Sequence, residues 1–130
     1  MKENQHAISL RQSVLDFAAD RYGTEPDYPW ASLPRYAVLR HGNNKKWYAL
    51  IMDLPRERLG LGGEGNIDIL NLKCDPVLIG SLRLEPGFLP AYHMNRTSWI
   101  TILLDGTVES ERIFPLLEMS FDLTASRRGK

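Results

Sequence analysis

Cysteine is nearly absent. Cys74 stands alone, so no internal disulfide can form and a reducing compartment fits. Net charge is absent too: 16 Lys and Arg balance 16 Asp and Glu, whereas a general polyanion-binding domain is usually basic throughout. Three scattered histidines (His6, His41 and His93) and one thiol show none of the spacings a zinc site uses. No apolar run approaches a membrane span, and the opening MKENQHAISL lacks the apolar core of a signal peptide. These absences predict a cytoplasmic protein with no membrane partner and no metal. Asn95-Arg96-Thr97 matches a glycosylation acceptor, but without secretion the match is empty. Internal repeats and low-complexity tracts are missing as well.

What is present is an ordinary globular composition. At 130 residues and 43% hydrophobic content the chain supports one real core, so a single compact domain over residues 1–130 is expected. Charge is uneven along it. Between Arg35 and Arg58, the cations Arg35, Arg40, Lys45, Lys46, Arg56 and Arg58 stand against only Asp53 and Glu57. From Thr101 to Ala125, Arg112 stands alone against Asp105, Glu109, Glu111, Glu118 and Asp122. Such polarity can orient a charged partner without a large net charge.

Taken in order, Ser9 with Gln12 forms a capping-box pattern, and Val14, Phe17, Ala18 and Tyr22 share one helix face. Gly23 stops this helix; an earlier start at Asn4 is an alternative. Pro26, Pro29 and Pro34 make Thr24–Pro34 a loop. Tyr36–His41 and Lys46–Met52 read as a hairpin around the turn residues Gly42-Asn43-Asn44, with both faces of its second strand partly buried. Tyr48, Leu50 and Met52 alternate there with Trp47, Ala49 and Ile51. Leu54–Gly65 is a loop with one helical turn at Arg56–Leu59. Its Gly60–Gly65 matches G-x-G-x-x-G by letter, but the following Ile67–Leu72 favours a strand. A dinucleotide site needs a helix there, so the glycines are read as a hairpin connection.

Asp75-Pro76 is a helix start, with a cap side chain and a proline that loses no hydrogen bond. Val77, Leu78 and Leu82 are expected to face inward, and Gly80 to approach a neighbour closely. Pro86-Gly87 ends that helix, Phe88–Asn95 reads as a mixed loop, and Trp99–Leu104 as a buried strand closed by Asp105-Gly106. A last helix spans about Ser110–Leu123, its stripe being Ile113, Leu116, Leu117 and Phe121. Pro115 is awkward inside it. Ser126–Lys130 is a basic tail, expected to be mobile.

Chemistry is sparse. Cys74, just before a helix N-terminus, has the position of an activated thiol, with His93 as a conceivable base; a small buried strand-end residue is the simpler reading. Carboxylates such as Glu109 and Glu111 sit where a helix start favours them anyway. Lys73, His93, Asn95, Arg96 and Trp99 remain, with the hairpin tip Arg40, His41, Lys45 and Lys46 as a possible neighbour. Lys and Arg bind phosphate, Asn and Arg read base edges, and aromatic rings stack on unpaired bases. The same residues serve equally as loop and helix caps.

The blocks Asn71-Leu72-Lys73-Cys74-Asp75-Pro76, Ala91-Tyr92-His93-Met94-Asn95-Arg96 with Trp99, and Leu104-Asp105-Gly106 resemble the signature of the MmcQ/YjbR family. Tyr28-Pro29-Trp30, Arg40-His41 with Asn44-Lys45-Lys46-Trp47, and Met119-Ser120-Phe121-Asp122-Leu123 extend the resemblance over nearly the whole chain. It implies an α+β, CyaY-like fold with antiparallel hairpins and helices packed against them, described as a double wing. It also implies a non-enzymatic, DNA-binding role without a cofactor. Carried over, the wing residues are Arg40, His41, Lys45 and Lys46 in one half and Lys73, His93, Asn95 and Arg96 in the other, with Asn43, Asn44 or Asn95 reaching base edges. So few phosphate contacts imply weak, salt-dependent DNA binding. CyaY-type iron binding uses an acidic first-helix ridge; Asp16 and Asp20 among Arg11 and Arg21 do not supply one. The alternative is a pocket for a small anionic ligand or peptide around Lys73, His93 and Asn95, lined by Trp47, Tyr92 and Trp99. A monomer is favoured, with the oligomeric state left open.

Overall fold

The computed structural model describes residues 9–125; the basic tail and the start at Asn4 lie outside that range. The elements run α1 (Leu10–Tyr22), β1 (Ala37–Arg40), β2 (Trp47–Pro55), β3 (Asn66–Lys73), α2 (Pro76–Leu82), β4 (Phe88–Pro90), β5 (Trp99–Leu103) and α3 (Ser110–Thr124). One 3-10 turn, Arg56–Leu59, follows β2. All pairings are antiparallel, in the order β1-β2-β3-β5-β4. The chain is thus a single α+β domain. The glycine run after Gly60 joins paired strands β2 and β3, with no helix for a pyrophosphate to meet.

Helix α1 starts where Ser9 Oγ accepts the Gln12 amide at 3.1 Å, and it ends on Gly23 at φ 66°. α1 and α3 cover one sheet face, over a core that includes Val14, Ala18, Leu39, Ile51, Leu70, Leu72, Ile100, Ile102, Ile113 and Leu117. Burying one such Leu or Ile side chain is worth roughly 1.5–3 kcal/mol. The other face carries Val38, Leu50, Met52, Leu54, Ile67 and Ile69, covered by loop side chains from Trp30, Tyr36 and Tyr92. The edge of β1 is closed by backbone hydrogen bonds in both directions between Asp27 and Val38.

Four local expectations need correcting. Period-two reading put Trp47 with Ala49 and Ile51, yet Tyr48 and Ala49 both face the helices, while Trp47 and Leu50 both face the loops. A bulge opposite Leu39 and Arg40 inserts one residue and exchanges the faces. In α2, Leu82 faces inward as expected, but Val77 is 84% exposed and Leu78 40%, and Ile79 turns inward in their place. A Cβ on Gly80 would meet nothing within 4 Å, so no close approach explains it; Gly87 is the crowded glycine, where a Cβ would fall 2.5 Å from Val108. Phe88–Pro90, expected as loop, pairs with β5 as a short edge strand, where proline is tolerated. In α3, Ser120 and Thr124 are buried alongside Ile113 and Leu117. Pro115 lies in the sixth position of this helix, where it removes one backbone hydrogen bond.

Candidate functional site

The strand ends fix the geography. β1 leaves the sheet at Arg40, β2 enters at Trp47, β3 leaves at Lys73, and β5 enters at Trp99. Arg40 is opposite Trp47 and Lys73 opposite Trp99, so all four stand at one end of the sheet. The C-terminus of α3 arrives at the same end, where Thr124 O accepts from Asn44 Nδ2 at 3.1 Å.

Between these ends runs a groove of about 340 Å³, lined by Lys46, Trp47, Lys73, Trp99, Leu123 and Thr124. Lys46 and Lys73, far apart in sequence, therefore share one surface. The Lys73 ammonium lies 5.8 Å from the Trp99 ring centroid, which holds the charge over an aromatic face. A hydroxyl positions Lys73: Ser120 Oγ donates to Tyr48 O at 2.6 Å and accepts from the Lys73 amide at 2.9 Å. Tyr48 and Lys73 follow the Ala49–Leu72 pair, so Ser120 bridges the two strands just where the ladder opens. Sequence reading took Ser120 only as part of a family block; a serine one turn from Leu117 on the buried stripe was the available signal.

The other candidates divide. Lys45 and Lys46 are exposed in the turn, with Lys45 at φ 65°. Arg96 is exposed in the turn before β5, where Asn95 Oδ1 accepts from the Thr97 amide at 2.8 Å and from its hydroxyl at 2.6 Å. Among the described residues, Lys45, Lys46, Lys73 and Arg96 form no ion pair. Asn95 and Asn43 are committed to their turns; Asn43 Oδ1 accepts the Asn44 amide at 2.7 Å.

Arg40 and His41 differ from the picture of a solvent-facing wing. Arg40 Nε is 2.6 Å from Asp27 Oδ2, and its guanidinium lies over Trp47. His41 is buried, 2.8 Å from Thr124 Oγ1 and packed on Tyr48 and Phe121. Burial lowers its pKa below 6.5, so the ring stays neutral in the core. Its surroundings come from β2 and from α3, and the distant α3 contacts are what turn chemistry alone does not reveal.

The expected ligand pocket is split as well. Tyr92 and His93 line a cavity with Trp47, whereas Lys73 and Trp99 line the groove, and Asn95 lines neither. Cys74 is buried and its thiol pKa is raised, chiefly by burial and then by Asp75, which opposes any thiolate role. Among the described residues no cluster of three His, Cys, Asp or Glu is placed to hold a metal, and no helix is long and apolar enough to cross a membrane.

The YjbR family model matches residues 19–123, which takes in every strand, α2 and nearly all of α3, but only the last turn of α1. This chain belongs to the YjbR family. In sequence, the chain is similar to the uncharacterized protein YyaQ of Bacillus subtilis, 50% identical over 114 residues, covering 88% of this chain and 97% of YyaQ. A crystal structure of a Pseudomonas syringae protein is 50% identical with TM-score 0.86, covering 88% of this chain and 98% of that one. A Deinococcus radiodurans protein, DR2400, is 25% identical with TM-score 0.69, covering 94% and 82%. The YjbR fold is therefore common to these chains, and none of these names carries an activity.

Proposed function

We propose that this YjbR protein is a small non-enzymatic DNA-binding module. It meets the phosphate backbone through Lys46 and Lys73, with Lys45 and Arg96 flanking them. The observation that carries the reading is the shared groove: two lysines from separate strands, both without carboxylate partners among the described residues, converge beside Trp47 and Trp99. Unpaired ammonium groups release counterions from DNA, whereas Arg40 already has Asp27. The aromatic rings add a surface on which an unpaired base can stack. The chain's formal net charge is zero, so the residues outside this patch are net negative and the patch alone favours DNA.

Three or four phosphate contacts give a salt slope of about −2.7 to −3.6, so raising salt from 50 to 200 mM weakens binding roughly 40- to 150-fold. The experiment is titration of a random-sequence duplex, and of its separated strands, at both salts while following backbone amide signals. The proposal expects salt-sensitive shifts centred on Lys45, Lys46, Lys73 and Arg96. Silence at those amides in low salt ends it.

A further inference from the structure

On the sheet face away from the helices lies a cavity of about 430 Å³ that the DNA reading does not use. Leu50 and Met52 make its floor, and Trp30, Tyr36, Trp47 and Tyr92 its walls. The bulge in β2 is what delivers Trp47 to this side. Trp30 meets Tyr36 at 82° and Trp47 at 79°, so the three rings form an angled box rather than a closed stack. The volume falls in the range of small-molecule sites and is several times that of one water.

The walls are fixed from behind. Tyr92 O accepts from Asn71 Nδ2 at 2.9 Å, its amide donates to Thr101 Oγ1 at 2.9 Å, and the Thr101 hydroxyl in turn donates to Asn71 Oδ1. On the other side, turns from Leu33 N to Trp30 O and from Tyr36 N to Leu33 O hold the Trp30 loop. A cavity braced by buried hydrogen bonds loses little entropy on filling. Two polar side chains, Arg58 and His93, stand in the lining. Both are exposed, and Arg58 forms no ion pair among the described residues. His93 is held at φ 58°, a left-handed backbone conformation that histidine enters more readily than most non-glycine residues.

We infer that this cavity binds a flat aromatic carboxylate, its ring system between Trp30, Trp47 and Tyr92 and its carboxylate on the Arg58 guanidinium, with His93 as a second donor. Ring faces supply affinity, and the Arg58 guanidinium, which also meets Tyr92, supplies preference for an anion over a neutral ring. The site shares only Trp47 with the Lys46–Lys73 groove, and its polar groups Arg58 and His93 lie outside that groove, so it stands whether or not DNA binds there.

The probes are 2-naphthoate and its neutral counterpart 2-naphthylmethanol, titrated while following amide and indole NMR signals. Saturable shifts at Trp30, Trp47, Tyr92 and His93 are expected, with naphthoate bound about two- to fivefold tighter, as for one solvent-facing charge pair. Arg58→Gln should erase that preference while leaving the alcohol's binding and the melting temperature unchanged. Leu50→Trp, which fills the floor, should abolish both. The inference is overturned by no shifts up to about 1 mM of either probe, by equal binding of the two, or by a preference that survives Arg58→Gln. Sedimentation showing a dimer with this face covered and the probes excluded would overturn it as well.

Discussion

Ser120→Ala tests how the helix layer positions the candidate DNA site. The hydroxyl serves two backbone groups, the buried Tyr48 carbonyl and the partly buried Lys73 amide. Alanine removes both partners and leaves no space for water at a position that is 0% exposed. Each orphaned group costs about 1–3 kcal/mol, and the strands can recover part of this by closing on each other. A net loss of about 2–3 kcal/mol follows, which at this chain length lowers the melting temperature by roughly 5–10 °C. Chemical denaturation gives the energy, and hydrogen exchange locates it: the Lys73 amide should lose protection first, while the Leu70 amide in mid-strand keeps its own. A loss below about 0.5 kcal/mol with Lys73 still protected would refute the bridging role, because ordinary surface changes fall in that range.

Three further outcomes follow from the same packing. Gly87→Ala should destabilise by more than about 1 kcal/mol in urea unfolding, since Gly87 sits at φ 89° and the new Cβ would fall 2.5 Å from Val108. Neutral, buried His41 has a pKa below its unfolded value of 6.5, so its contribution is complete above pH 6.5 and lost as the pH falls below it. His41→Gln should flatten the stability profile on that acid side, as read by melting temperature against pH. Asn71→Leu strands the Tyr92 carbonyl and the Thr101 hydroxyl, so it should cost about 1–3 kcal/mol and broaden the Tyr92 and His93 NMR signals, leaving α1 unaffected.

Local chemistry was legible in the residues. Ser9 and Asp75 cap their helices because an oxygen side chain before an apolar period has one good use, and Gly23 ends α1 because only glycine takes that φ cheaply. The hairpin β1–β2 and the rejection of the Gly60–Gly65 motif rested on the same kind of local rule. Long-range features were not legible. Nothing in Trp47-Tyr48-Ala49 announces a bulge, since the extra residue is defined by its partner strand. Val77 and Leu78 were placed inward because a seven-residue helix is too short for its period to choose a face. At the site, Lys46 and Lys73 could be named as cations, but their convergence depends on strand order. His41 reads as a tip residue in the sequence because Phe121 and Thr124, which bury it, come from the far end of the chain. Tyr92 and His93 were flagged without the Trp30 and Tyr36 loop that completes their cavity.

The central claim is that Lys46 and Lys73 act as one cationic surface toward DNA. Measuring duplex affinity against salt for the native protein, Lys46→Gln, Lys73→Gln and Arg40→Gln tests it most directly. The account predicts that each lysine variant weakens binding and makes the log–log slope shallower by about 0.9, whereas Arg40→Gln, already paired with Asp27, leaves the slope unchanged. Equal slopes for all four proteins, or an effect confined to Arg40→Gln, would contradict it.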